Sequence, residues 1–171
     1  MTDFFYLGVD PGSVNCGWAL RANESSAVAY GVFNPSNSDS IITAADDLLK
    51  VIRASRPLDI PIQIACVERY VAYRNTLTKD TEKILLFIGS LLHALQSSGI
   101  TIMTARAIDW KPAVCKSLYK KREFKNPSEK FDKEYSVAAA ECVLGRELKR
   151  TNHEADAICL SYYAEIARGS K

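Results

Sequence analysis

Asp10 closes the run Tyr6-Leu7-Gly8-Val9-Asp10 and is followed by Pro11-Gly12-Ser13, so a carboxylate stands where an apolar strand stops and a tight turn begins. Turn chemistry alone accounts for such an aspartate, and so does catalysis. Glu68 continues the stripe Ile62, Ile64, Cys66, with Ala65 and Val67 on the other face. An ionised carboxylate in an apolar stripe is costly unless it is paired or binds a metal; Arg69 and solvent at the strand end are its simplest partners. The third acidic element is Thr151-Asn152-His153-Glu154-Ala155-Asp156. His153 and Asp156, three apart, share a helix face. Thr151 and Glu154 have the spacing of a capping box, which gives Glu154 a structural task and points it about 100° away from His153. Two or three carboxylates with a histidine on separate elements are donors for a divalent cation: hard oxygens for Mg²⁺, with imidazole also suiting Mn²⁺. Two such ions about 4 Å apart activate a water and stabilise the leaving oxygen of a phosphodiester. Periodicity does not by itself bring these residues together.

The elements that must position them follow from the hydrophobic pattern. Phe4 to Asp10, Cys16 to Arg21 and Ala27 to Phe33 read as a three-stranded meander. Ile41, Ala45, Leu48, Leu49 and Ile52 recur at helical spacing up to about Ala54, and Pro57 and Pro61 end that pattern. A fourth strand runs from Ile62 to Glu68. Leu77 to Gln96 is an amphipathic helix with Leu77, Thr81, Ile84, Ile88, Leu91, Leu92 and Leu95 on one face. Its run Ile84-Leu85-Leu86-Phe87-Ile88 is apolar all round, as in a helix buried on two sides, either within one subunit or between two. Ile100 to Thr104 is a fifth strand, followed by helical segments near Lys111 to Lys120, Glu134 to Leu148 and Asn152 to Ala167. Together these predict an α/β fold: one domain over residues 1–171, with a mixed five-stranded sheet flanked by helices.

With 171 residues, 47% of them hydrophobic, the chain is long enough for one sizeable core. No run of about 18 apolar residues and no signal-peptide pattern occurs, so a soluble cytoplasmic protein without membrane association is expected. Cys16, Cys66, Cys115, Cys142 and Cys159 are odd in number and widely spaced, which argues for buried free thiols rather than disulfides or structural zinc. Net charge is only +2, but from Lys111 to Lys133 eight basic residues face three acids, giving this window +5 and the remainder −3. Phosphate contact and an ordinary solvated face both explain such a window.

Three motifs in register are the basis of a family resemblance. Leu7-Gly8-Val9-Asp10-Pro11-Gly12-Ser13 with Gly17, then Val67-Glu68, then His153-x-x-Asp156-Ala157-Ile158 resemble the RuvC family of Holliday junction resolvases across nearly the whole chain. The resemblance extends to bacteriophage-type members and implies an RNase H-like domain, a homodimer with two active sites, and Mg²⁺ or Mn²⁺, two ions per site. Opposed strands of four-way junctions and other branched DNA would be nicked in pairs, leaving a 5′ phosphate. It makes Asp10, Glu68, His153 and Asp156 the metal-binding and catalytic set. The family places Asp or His at the position of His153, and imidazole brings no negative charge to hold a second cation.

The resemblance also places Lys111, and either Lys130 or Lys133, near the family's catalytic lysines. The segment Arg69-Tyr70-Val71-Ala72-Tyr73-Arg74-Asn75 falls where the family inserts a wedge into the junction; Tyr70 and Tyr73 suit stacking, Arg69 and Arg74 phosphate contact. The basic window adds Lys111, Lys116, Lys120, Lys121, Arg122, Lys125, Lys130 and Lys133 as candidate DNA contacts. Three rivals share parts of the pattern: a RuvC-like ribosomal RNA-processing nuclease, a non-catalytic junction-binding module, and an ATP-binding protein of the actin and sugar-kinase superfamily. The last needs a second phosphate loop, and none is visible.

Overall fold

A computed structural model describes residues 4–22, 27–56, 60–70, 78–120, 133–148 and 152–169. Its centre is β1 (Phe5–Asp10), flanked by antiparallel β2 (Cys16–Ala22) and parallel β4 (Ile62–Glu68). Outside them lie β3 (Ala27–Phe33), antiparallel to β2, and β5 (Thr101–Ala105), parallel to β4, giving the order β3-β2-β1-β4-β5. This is the mixed five-stranded sheet expected of an RNase H-like fold.

Strand alternation divides the core into two layers. Phe5, Leu7, Val9, Ala65 and Val67 face α1 (Ala44–Ala54) and α2 (Lys79–Ser97). Tyr6, Ile64 and Cys66 face α3 (Ala107–Lys120), α4 (Lys133–Leu144) and α5 (Asn152–Arg168). α5 lies on the sheet through a buried run that includes Ala157, Ile158, Leu160 and Ala164. Its C-terminal half is anchored by Glu165, paired with the buried Arg21, whose guanidinium stacks 5.1 Å from the Tyr162 ring. The five cysteines are free: Cys16, Cys66, Cys115 and Cys159 are buried and Cys142 is half-buried. The Cys159 thiol donates to the Ser136 carbonyl at 3.7 Å.

Five sequence expectations shift. Ile62 packs with the α1–α2 layer rather than with Ile64 and Cys66, because the β1–β4 ladder slips between Phe5 and Tyr6 and skips Gln63. α2 starts at Lys79, capped by the Thr78 hydroxyl accepting from the Thr81 amide, so Leu77 lies before it and outside the described residues. Its buried stripe is Thr81, Phe87, Leu91 and Leu95; Ile84, Ile88 and Leu92 are half-buried, while Leu85 and Leu86 are each 47% exposed. In a run apolar on every side, the sheet selects the facing residue and periodicity cannot. α3 begins at Ala107, four residues before the expected start, and α4 ends at Leu144, where Gly145 takes a left-handed φ of 67°.

Candidate functional site

Alternation explains why two carboxylates meet. Asp10 ends the β1 face that carries Tyr6 and Gly8, and Glu68 ends the β4 face that carries Ile64 and Cys66. The strands are parallel with Val9 beside Val67, so both acids emerge side by side at the carboxyl end of the sheet.

The third and fourth groups come from α5, which rests on bare backbone. A Cβ at Gly8 would fall 2.0 Å from the Ala157 carbonyl oxygen, and one at Gly17 would fall 2.0 Å from that of His153. Gly17 is the ladder partner of Asp10, so the helix start is pressed against the strand end that carries the aspartate. The result is direct contact between His153 Nδ1 and Asp10 Oδ2 at 2.7 Å. Asp156 follows one turn later, and its Oδ1 lies 3.6 Å from Lys111 Nζ of α3, both side chains being about four-fifths buried. Glu154, by contrast, is 1% exposed and packed inside the domain, whereas the His153 side chain is 42% exposed. The proposed cap Thr151 lies outside the described residues.

Crowding three acids beside one lysine sets the electrostatics. Burial, then the nearby charges of Asp10 and Asp156, push the Glu68 carboxyl up to about 7, against the partial relief of Lys111. Burial also raises Asp156, with Lys111 and the buried Ser136 hydroxyl pulling the other way and Asp10 adding to the rise. Asp156 Oδ1 is buried and forms no short hydrogen bond with the described residues; Lys111 meets it as an ion-pair partner at 3.6 Å. As the side chains stand, no group of three ligating residues among those described forms a ready ion cage. The donor set itself suits a hard divalent cation: three carboxylates and an imidazole, in mutual repulsion and partly withheld from water.

The raised Glu68 carboxyl has a measurable consequence. Its ordinary value is 4.5 and its folded value about 7, so between those pH values the native state holds a proton that the unfolded chain has released. Stability of the cation-free protein is therefore expected to fall as pH rises through this window, by on the order of 2 kcal/mol. Urea denaturation in chelator at pH 5 and pH 8 measures it, and Glu68→Gln should flatten the dependence. An equal pH slope in wild type and variant would show that the charge cluster is not the source.

Of the expected DNA contacts, Arg69 is exposed at the strand end, its amide bonded to the Ala105 carbonyl at 2.8 Å. Tyr70 is half-buried, its hydroxyl 3.5 Å from that of Thr81. Lys116 is exposed on α3. Lys120 ends α3 and Lys133 begins α4. Tyr73, Arg74, Lys121, Arg122, Lys125 and Lys130 lie outside the described residues. Sequence reasoning passed over Trp110 and Ser136, which stand beside Glu68 and Asp156. The position of Trp110 next to Lys111 was the available signal for the first, and nothing in the local pattern marks the second.

No protein-family model matches the chain, and no curated protein matches its sequence. Solved structures do. Thermus thermophilus RuvC in complex with a Holliday junction substrate superposes with a TM-score of 0.68 at 18% identity, covering 97% of this chain and 96% of that one. The chain has the RuvC fold. A second Thermus thermophilus RuvC structure agrees, with a TM-score of 0.65 at 19% identity over 98% of this chain and 97% of the other. In this RuvC fold the acids gather where β1, β4 and the start of α5 meet. No described helix is long and apolar enough to cross a membrane.

Proposed function

We propose that the chain is a divalent-cation-dependent endonuclease, a crossover junction endodeoxyribonuclease that resolves four-way DNA junctions by paired phosphodiester hydrolysis. One observation carries this reading: Asp10, Glu68, His153 and Asp156, from three separate elements, converge with Lys111 at one edge of a RuvC fold. Asp10, Glu68 and Asp156 would hold Mg²⁺ or Mn²⁺, two ions per site, with His153 as a further ligand or as the group that orients water. Bound there, the cations would activate the attacking water and offset charge on the leaving oxygen.

The chain's own residues supply the remainder. In the tautomer that donates from His153 Nδ1 to Asp10, the other ring nitrogen is the basic one, suited to ligation or to taking a proton from water. Lys111 faces Asp156 at 3.6 Å, beside the place a phosphate would occupy, where its ammonium can stabilise charge that develops on oxygen. Arg69 and Lys116, both exposed, suit backbone phosphates, and Tyr70 and Tyr73 suit an unstacked base. We place the activity in a single domain, in the cytoplasm, acting on four-way and other branched DNA; a bacteriophage-type member fits the sequence motifs.

The test is cleavage of an immobile four-way junction against a matched linear duplex, with Mg²⁺, Mn²⁺ or chelator. Symmetric, cation-dependent nicks confined to the junction support the reading. Cleavage of structured RNA alone, hydrolysis of ATP, or junction binding without any cleavage would replace it with the corresponding rival.

The same reading implies a homodimer, since paired nicks need two sites. Leu85 and Leu86 on α2 are each 47% exposed, beside half-buried Ile84 and Ile88, an apolar ridge of the kind that marks a contact between subunits. Leu85→Glu with Leu86→Glu is expected to halve the mass measured by light scattering and to convert paired nicks into single ones, with the melting temperature of the monomer unit preserved. A wild type that is monomeric at the same concentration would rule this interface out.

A further inference from the structure

Trp110, in the first turn of α3, is 1% exposed, yet its indole Nε1 is buried with no hydrogen bond formed to any of the described residues. A donor left unpaired inside a protein is destabilising, and one retained beside a charged cluster calls for a partner that arrives later. The surroundings define that partner. The Lys111 ammonium stands 5.1 Å from the centre of the Trp110 ring and 3.6 Å from Asp156 Oδ1, so the indole face supports the lysine where it meets the aspartate. The indole N–H stands close enough to the Glu68 carboxyl to favour its charged form, yet short of hydrogen-bond geometry. Glu68 pairs with Ala105 at the end of β5, the Arg69 amide bonds the Ala105 carbonyl at 2.8 Å, and the Trp110 amide bonds the Arg106 carbonyl at 3.1 Å. These bonds fold the start of α3 back over the strand end that carries the glutamate.

We propose that Trp110 is a positioning residue of the cation site: its indole N–H closes on the Glu68 carboxylate when that group takes a cation, while its ring holds the Lys111 ammonium at Asp156. The inference rests on the cation-dependent reading above. A charge-assisted hydrogen bond from a rigid, buried indole fixes which carboxylate oxygen faces the ion. Phe in its place keeps an aromatic face for Lys111 while removing the donor and part of the ring volume.

Two measurements on the full chain test it. In isothermal titration with Mn²⁺, Trp110→Phe is expected to bind about tenfold more weakly than wild type. Its junction affinity in chelator should be unchanged, its melting temperature lowered only by the lost ring packing, and its cleavage kcat reduced. In ¹H–¹⁵N spectra of the wild type, one of the two indole resonances should move downfield and saturate with Mg²⁺. Trp18, buried on the opposite layer against Gly31, should stay fixed, and Trp18→Phe assigns the pair. Wild-type Mn²⁺ affinity in Trp110→Phe overturns the proposal. So does a Trp110 resonance that saturating Mg²⁺ leaves in place, which decides the matter even where Trp110→Phe fails to fold. Absence of any cation binding to the wild type would remove the metal reading, and this proposal with it.

Discussion

Asp10→Asn is expected to lower junction cleavage by roughly 10³-fold, the effect of withdrawing about 4 kcal/mol of transition-state stabilisation, with junction binding retained. The substitution is nearly isosteric, and an amide can still meet His153 across the 2.7 Å contact, so placement survives and charge alone is lost. That charge is felt throughout the site: Asp10 raises both Glu68 and Asp156. Removing it should therefore make the cation-free protein slightly more stable near neutral pH while disabling it, the usual relation between a strained active site and its scaffold. Single-turnover cleavage and thermal melting in chelator check both halves. Wild-type rates in Asp10→Asn would dismiss Asp10 as a ligand; a lowered melting temperature would make it a structural residue.

Gly17→Ala is expected to be nearly as damaging without touching a charged group. The new methyl carbon would lie 2.0 Å from the carbonyl oxygen of His153 and 2.4 Å from its carbonyl carbon, and neither backbone atom can rotate away. The start of α5 must lift by about 1 Å or more, which separates His153 from Asp10 and carries Asp156 away from Lys111. A displacement of that size costs roughly 10²-fold in rate. Overpacking at a helix–sheet contact costs about 1–3 kcal/mol, which for a chain of this size lowers the melting temperature by roughly 3–10 °C. Cleavage measured well below the variant's melting temperature isolates the displacement from unfolding. An unchanged rate and melting temperature would mean that α5 is not seated on β2 as described.

The fold was largely legible in the sequence because its strands are short, apolar and punctuated. β1, β2, β3, β4 and α1 fall within about three residues of the boundaries that alternation and turn residues predict. The failures are local and physical. Ile62 sits beyond a slip in the ladder that pattern cannot register, and the Ile84 to Ile88 run carries no preferred direction until the sheet chooses Phe87. The acids were visible as residue types at strand and helix ends, but their convergence depends on Gly8 and Gly17, which appeared in the sequence only as parts of a motif. Trp110 and Ser136 were not found because their roles lie in which way a buried side chain faces. That is a property of packed neighbours rather than of spacing.

The distribution of thiols gives the molecule a built-in clock. Cys159 sits one turn beyond Asp156 on α5, buried, with its sulfur against the Ser136 carbonyl of α4. Cys66 lies on the same β4 face as Glu68, two residues before it, and is equally enclosed. A thiol reagent can reach either only when the helix layer parts from the sheet, so the labelling rate of each cysteine counts openings of the element that carries the neighbouring acid. Comparing Cys159 with Cys16 in the opposite layer would show whether the two sides of the sheet open together or apart, with every residue of the acidic cluster left in its native form.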